Sequence, residues 1–492
     1  MHPNVATPRG RSPIAIAALV VALVTVLAAV ANPSLRPDRL LRDFDAFYCA
    51  GTALRADADP YLAEPIGACE RIHKPAPLMS GTPGLAMPAP LPPYALLPFK
   101  LLAALPYVAA AIVWTFIGIG SVAIAVWAMR RLTGLPLEAL FAAFALTDGY
   151  ASLALGQIAP IAVAAIALAA MLLAENRDAL AAAVAGCTML EPHLGVPVCV
   201  SLFLYRSRTR WPLAAVALAY VAASLAASGL GTSLEYLRSV LPAHALSEIA
   251  NEKQFSLTYV LHRIGLPDAT ALHAGELSYL AMTVAGIAAA GVLAKRTNAA
   301  AIVAIPPAFA VIGGPFVHII QIAAAIPAAL LLFATGSPRS HRTIGLAIVA
   351  LAIPWIQFAN LGTIFVVLAA VAAAVAANAF VDERPFVAVI AAIASIGFLE
   401  IVIAVTTATV PDAVPVLLAH YDPHALAEAS WTLYVKTIGN QNALAFDLAK
   451  LPTVAALLAL AYAMLIETFG ARAPTLAMGG KGAAISRRTT SG

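Results

Sequence analysis

YVAAAIVWTFIGIGSVAIAVWAM, at 107–129, runs without a single charged residue. A helix rises 1.5 Å per residue, so about 20 apolar residues cross the roughly 30 Å of bilayer hydrocarbon. Comparable runs recur along the whole chain, which is 61% hydrophobic and 11% charged, with a mean hydropathy of +0.88. Soluble domains carry about 25% charged residues, so a water-soluble fold of this composition could not cover its exterior. The runs are uninterrupted rather than alternating, which selects helices over an outer-membrane barrel. The expected fold class is an all-α polytopic transmembrane bundle of roughly 12–14 spans.

The basic residues set the expected topology. Arg9 and Arg11 precede an apolar run at 14–31, read as an uncleaved first span that leaves the loop 33–90 outside. RSRTR at 206–210, Lys295-Arg296, SPRSHR at 337–342 and a tail with Lys481, Arg487 and Arg488 then fall inside. The polar loops 33–90, 231–275 and 408–447 fall together on the outside. Segments at 89–104, 107–129, 136–153, 157–174 and 180–204 are apolar enough for spans, but Arg130-Arg131 does not fit their strict alternation, and a re-entrant or interfacial 136–153 is the alternative. PAPLMSGTPGLAMPAPLPP at 75–93 is too rich in proline for a helix and reads as a flap. Leu234, Leu237, Leu241 and Ala245 repeat at helical spacing, as in an amphipathic helix at the membrane interface.

A net charge of +4 is explained by this topology and does not point to nucleic acid. Neither an internal repeat nor a set of charges in mid-span suggests a transporter. Cys49 and Cys69 share the first outer loop, where either a disulfide or two free thiols is consistent with the sequence. Cys187 and Cys199 fall within an apolar run and read as packing residues.

DFDAFYCAG at 43–51 and DADPYL at 57–62 resemble the first-loop signature of glycosyltransferase family 87. Further matches follow in order: Pro88–Pro98, GQIAP at 156–160, RSRTRW at 206–211, NEKQFSL at 251–257 and GGPFVH at 313–318. The resemblance covers residues 14–335, and one departure is Glu191-Pro192-His193, where many relatives carry Lys-Pro. It divides the chain into a GT-C-like catalytic module at 1–335 and additional helices at 336–492. It implies a bacterial plasma-membrane hexosyltransferase, mannosyltransferase-like, that moves a sugar from a polyprenyl-phosphate donor to a glycolipid or glycan acceptor at the outer leaflet. The alternative is a carrier or flippase for lipid-linked saccharides.

Such a transfer needs a base for the acceptor hydroxyl, and a carboxylate just outside the first span sits at the depth of both headgroups. Asp45 is the first candidate and Asp43 the second, since Asp43 also suits a helix N-cap. The departing phosphate needs cationic or hydrogen-bonding partners, with His318 foremost and Lys253, His262 and Arg263 as further candidates. Asn251 and Gln254 are candidates for sugar hydroxyls, and Tyr48 and Tyr61 for stacking on a sugar face or anchoring the interface. Glu191 and His193 read as a buried pair bonded to each other or to a neighbouring helix. A donor that already carries phosphate has no nucleotide diphosphate to neutralise, so neither a metal nor a cofactor is expected.

Overall fold

The computed structural model describes residues 41–73, 82–358, 363–381, 385–405, 412–438 and 443–470. The expected first span at 14–31, part of the 75–93 stretch and the basic tail lie outside these residues. Among the described residues all regular structure is helical, apart from an isolated antiparallel bridge between Leu62 and Leu426.

The first helices are α1 (Arg42–Arg55), α2 (Ala63–His73), α3 (Pro93–Leu102), α4 (Tyr107–Thr133), α5 (Leu137–Phe144), α6 (Ala159–Ala174) and α7 (Asp178–Gly186). They are followed by α8 (Pro192–Tyr205), α9 (Arg210–Glu235), α10 (Leu241–Glu248), α11 (Leu257–Arg263), α12 (Asp268–Arg296), α13 (Ala301–Gly313) and α14 (Ile326–Thr335). The last are α15 (Pro338–Leu351), α16 (Thr363–Phe380), α17 (Pro385–Val405), α18 (Val414–His420), α19 (Ala427–Ile438) and α20 (Ala443–Phe469). Among the described residues, four helical runs are long and apolar enough to cross a bilayer: α4, Ser207–Glu248, α12 and Leu444–Phe469. The central helices α6, α13 and α14 are shorter and apolar all round, so they are buried in the bundle rather than exposed to lipid.

The bundle has two chemically distinct ends. With 29 residues, α12 is about 43 Å long. At its far end Arg296 donates to the carbonyls of Glu467 and Gly470, while the Glu467 carboxylate accepts from Ser337 and Ser340. Arg131, closing α4, pairs with Glu175 at 2.6 Å. The basic clusters therefore gather at the end away from the first residues of α4 and α12.

Two expected spans are not spans. Pro92 and Pro93 start α3 and Pro98 interrupts it, so the 89–104 segment forms only a ten-residue helix, which packs on α1. The 180–204 segment is a hairpin that enters and leaves at the basic end. Its limbs are antiparallel: Cys199 Sγ lies 3.9 Å from the Ala185 carbonyl, and a Cβ on Gly195 would lie 2.7 Å from Met189 Cα. Each limb of about 13 residues reaches roughly 20 Å, short of the hydrocarbon thickness. Removing both spans from the count leaves every later loop on its expected side. Arg130-Arg131 then falls at the basic end, because α4 is the first crossing after the 33–90 loop. Gly229, at φ 79°, kinks the long run Ser207–Glu248, so the amphipathic stripe from Leu234 to Ala245 lies on an arm that continues from α9.

α1 is locked onto the bundle through aromatic packing. Phe44 is fully buried and packs on Tyr48, Phe99, Tyr107 and Trp114, with ring centroids 5.9–6.2 Å apart. Burial of one such side chain contributes about 1.5–3 kcal/mol. Gly51 faces the α3 backbone so closely that a Cβ would lie 2.4 Å from the Phe99 carbonyl oxygen. A disulfide joins Cys49 to Cys69 and ties α1 to α2. Closing a loop of this length restricts the unfolded chain by about 3 kcal/mol in the chain-entropy treatment. Alkylation of the denatured, unreduced protein should therefore label Cys187 and Cys199 only, and reduction should add Cys49 and Cys69. Labelling of all four before reduction would show that no bridge forms.

Candidate active site

A cavity of about 790 Å³ lies at the end of the bundle opposite the basic clusters. One wall is apolar and comes from the long exposed run: Val221, Leu225, Leu230, Leu237 and Leu241. Only 11% of the apolar window of that run is buried, so the helix that closes the cavity also faces lipid. The cavity also has a polar lining. It carries Arg42 and Asp43 from α1, Lys253 and His318 from irregular segments, and Glu248 at the end of α10. Non-helical backbone at membrane depth is tolerated where it lines such a cavity, because buried peptide groups must still find partners.

Glu248 organises this lining, and the sequence reading did not single it out. Its Oε2 accepts from Asn251 Nδ2 and Gln254 Nε2, both at 2.8 Å, and pairs with His318 Nε2 at 3.2 Å. Its Oε1 accepts from Trp431 Nε1 at 2.8 Å. Gln254 Oε1 in turn accepts from the Val317 backbone at 2.6 Å, and the Phe255 N–H donates to the Val317 carbonyl at 2.8 Å. The NEKQF and GGPFVH segments are thereby laid side by side. The available signal was helical spacing: Glu248 continues the stripe of Leu237, Leu241 and Ala245.

Only one of the two candidate aspartates faces the cavity. Successive helical residues turn by about 100°, so Asp43 and Asp45 point about 200° apart. Asp43 shares the cavity with Phe47, one turn on. Its Oδ2 accepts from Gln157, which Gly156 presents: at φ 74° a Cβ on Gly156 would lie 2.5 Å from Phe44 Cβ. Asp45 is fully buried outside the cavity and accepts from the Tyr107 hydroxyl. The preference for Asp45 is thus reversed on geometry. The N-cap reading of Asp43 also fails, because α1 starts at Arg42 and the Asp43 carboxylate is bonded to Gln157.

The remaining candidates divide in the same way. Lys253 and His318 line the cavity. Asn251 and Gln254 do not, because their amide donors are held by Glu248. Tyr48 and Tyr61 donate to the carbonyls of Leu105 and Leu91 and are buried as packing residues. His262 bonds Asp268 at 2.8 Å and Arg263 pairs with Asp447 at 3.4 Å, both away from the cavity. Among the described residues no cluster of His, Cys, Asp or Glu has a metal-binding arrangement.

The charges of the polar lining are mutually tuned. Burial raises the pKa of Asp43 above the ordinary carboxylate value, and the hydrogen bond from Gln157 and the charges of His318, Arg42 and Lys253 offset this only in part. Burial alone would lower His318, but the Glu248 carboxylate outweighs it and holds His318 above the ordinary imidazole value. Burial and the neighbouring Arg42 lower Lys253. Glu248→Ala should orphan the donors of Asn251, Gln254 and Trp431, each at a cost of about 1–3 kcal/mol. Thermal unfolding in detergent should show a larger loss for Glu248→Ala than for Trp431→Phe, which removes a single bond. Equal losses would mean that Glu248 is not the hub.

The family model of glycosyltransferase family 87 matches residues 91–312, which include Gln157, Glu191, Glu248 and Lys253. His318 lies just beyond the match, and Asp43 and Trp431 lie outside it. No curated protein matches the chain. Residues 91–312 are thus similar to glycosyltransferase family 87, and the long apolar helices are those of a multi-pass membrane protein.

Proposed function

We propose that the protein transfers a hexosyl unit from a polyprenyl-phosphate sugar to a glycolipid or glycan acceptor at the outer leaflet of a bacterial plasma membrane. The observation that carries this reading is that one cavity is lined both by apolar residues of a lipid-facing helix and by Asp43, Arg42, Lys253 and His318. The prenyl chain lies along Leu225, Leu237 and Leu241 and reaches the bilayer past that helix. Its phosphate sits against Arg42, Lys253 and protonated His318. The basic clusters at the opposite end of the bundle support an outward-facing site, since cytoplasmic ends collect Lys and Arg. The Cys49–Cys69 bridge beside the site supports the same orientation.

In this reading Asp43 removes the proton of the acceptor hydroxyl as its oxygen attacks the anomeric carbon. The bond from that carbon to the phosphate oxygen breaks, and polyprenyl phosphate leaves with its charge held by the three cations. A single displacement inverts the anomeric configuration. The raised pKa of Asp43 makes it a stronger base than a solvated carboxylate, nearer to matching a proton transfer at neutral pH.

Asp43→Asn should lower turnover about 10²–10⁴-fold, the range for loss of a general base, while the lipid donor stays bound. A carrier would keep moving the lipid-linked sugar in the same variant. Asp45→Asn should cost less, since Asp45 lies outside the cavity. Turnover by Asp43→Asn at the unaltered rate would remove the base assignment.

The pH dependence has a definite sign. The His318 pKa is raised, so its protonated form and the stability it contributes are complete below about 6.5, the unfolded value, and are lost as pH rises through the higher folded value. Affinity for polyprenyl phosphate should fall over that rise, and His318→Gln should flatten the profile. An unchanged profile in His318→Gln would exclude His318 as the phosphate's titrating partner.

A further inference from the structure

The cavity contains a second polar group of residues that the transfer chemistry leaves unused. Glu191 and His193 sit at the tip of the α7–α8 hairpin and line the same space as Asp43 and His318. Glu191 is 7% exposed, and its Oε2 lies 3.6 Å from His193 Nδ1. The other imidazole nitrogen, Nε2, is buried without a partner. A buried polar atom left in this state is unfavourable, and a ligand group in the cavity would supply the missing bond.

The tip is held in place from three sides. The Tyr94 hydroxyl donates to the Met189 carbonyl and the Tyr279 hydroxyl to the His193 carbonyl, each at 2.7 Å. Gln321 takes the His318 backbone N–H on its Oε1 at 2.6 Å, which turns its amide nitrogen to donate to Glu191. The pair is thereby linked to the His318 loop and kept at a fixed distance from it.

Its chemistry does not suit a phosphate. Arg42 and Lys253 stand on α1 and the NEKQF segment, whereas the hairpin tip presents the Glu191 carboxyl, which would repel a phosphate. A carboxyl and an imidazole nitrogen on one short loop instead suit adjacent hydroxyls, which both donate and accept. We propose that Glu191 and His193 form a sugar-hydroxyl subsite, which holds a pyranose ring and sets which hexose the enzyme takes. The assignment rests on the transferase reading for its role, and its chemistry can be tested apart from that reading.

Full-length protein in nanodiscs is treated with diethyl pyrocarbonate, and modification of His193 is followed by mass spectrometry. At least one of methyl mannoside, methyl glucoside and methyl galactoside should slow it, inorganic phosphate should not, and Glu191→Gln should abolish the protection. Absence of protection by all three hexosides, or protection by phosphate, overturns the subsite. A second arm compares binding of undecaprenyl phosphate and its hexosyl forms to the unaltered protein, Glu191→Gln, His193→Ala and His193→Gln. If the ring belongs to the donor, Glu191→Gln and His193→Ala should lose about ten-fold in affinity for the hexosyl lipid, as expected for one lost hydrogen bond of about 1.4 kcal/mol. Affinity for undecaprenyl phosphate should stay unchanged, and His193→Gln should restore part of the loss. If the ring belongs to the acceptor, affinities for both lipids should be unchanged, and the KM for an octyl hexoside acceptor should rise instead. Equal weakening toward both lipids overturns the subsite in favour of a structural role. Failure of the unaltered protein to bind either lipid would instead remove the transferase reading, with the protection experiment still deciding the subsite.

Discussion

The polar lining of the candidate site depends on one buried carboxylate. Glu248 gathers the side-chain donors of Asn251, Gln254, His318 and Trp431, which come from three separate parts of the chain. A carboxylate is costly to remove from water unless its oxygens are bonded, and a membrane protein has little water to offer at that depth. Each donor is equally in need of an acceptor. The two irregular segments that carry Lys253 and His318 are held in position by this mutual satisfaction.

Much of the fold was legible because hydrocarbon thickness imposes a length that apolar runs must match. The long helices at 107–133 and 268–296 are of this kind. The crossings that were misread share a physical reason. Hydropathy measures greasiness, and a helix that stops halfway is as greasy as one that crosses. Proline at 92, 93 and 98 and the Glu191-Pro192 break mark the two interruptions, and removing both preserves the parity of the later loops. The misfit of Arg130-Arg131 was a further sequence signal that the 89–104 segment does not cross.

The site was legible in part. Conserving the rotation of a helix separates Asp43 from Asp45, yet without the position of GQIAP nothing in the sequence says which of them faces inward. Asn251 and Gln254 have the chemistry of sugar ligands but are committed to a neighbour that lies only three to six residues away. Trp431 was out of reach, since its contact with Glu248 spans 183 residues. That contact also makes the candidate site composite: the matched segment 91–312 supplies most of the cavity, while α1, residues 87–90, the 316–321 segment, Ile356 and Trp431 of α19 complete it.

The hairpin that carries Glu191 and His193 begins and ends on the same side of the bundle, so it adds nothing to the number of crossings. Changes at its tip leave the orientation of every other helix untouched. A family built on this scaffold can therefore vary the residues at 191 and 193 from one member to another without re-threading the chain through the membrane. Substrate choice and membrane topology are, at this one loop, separately adjustable.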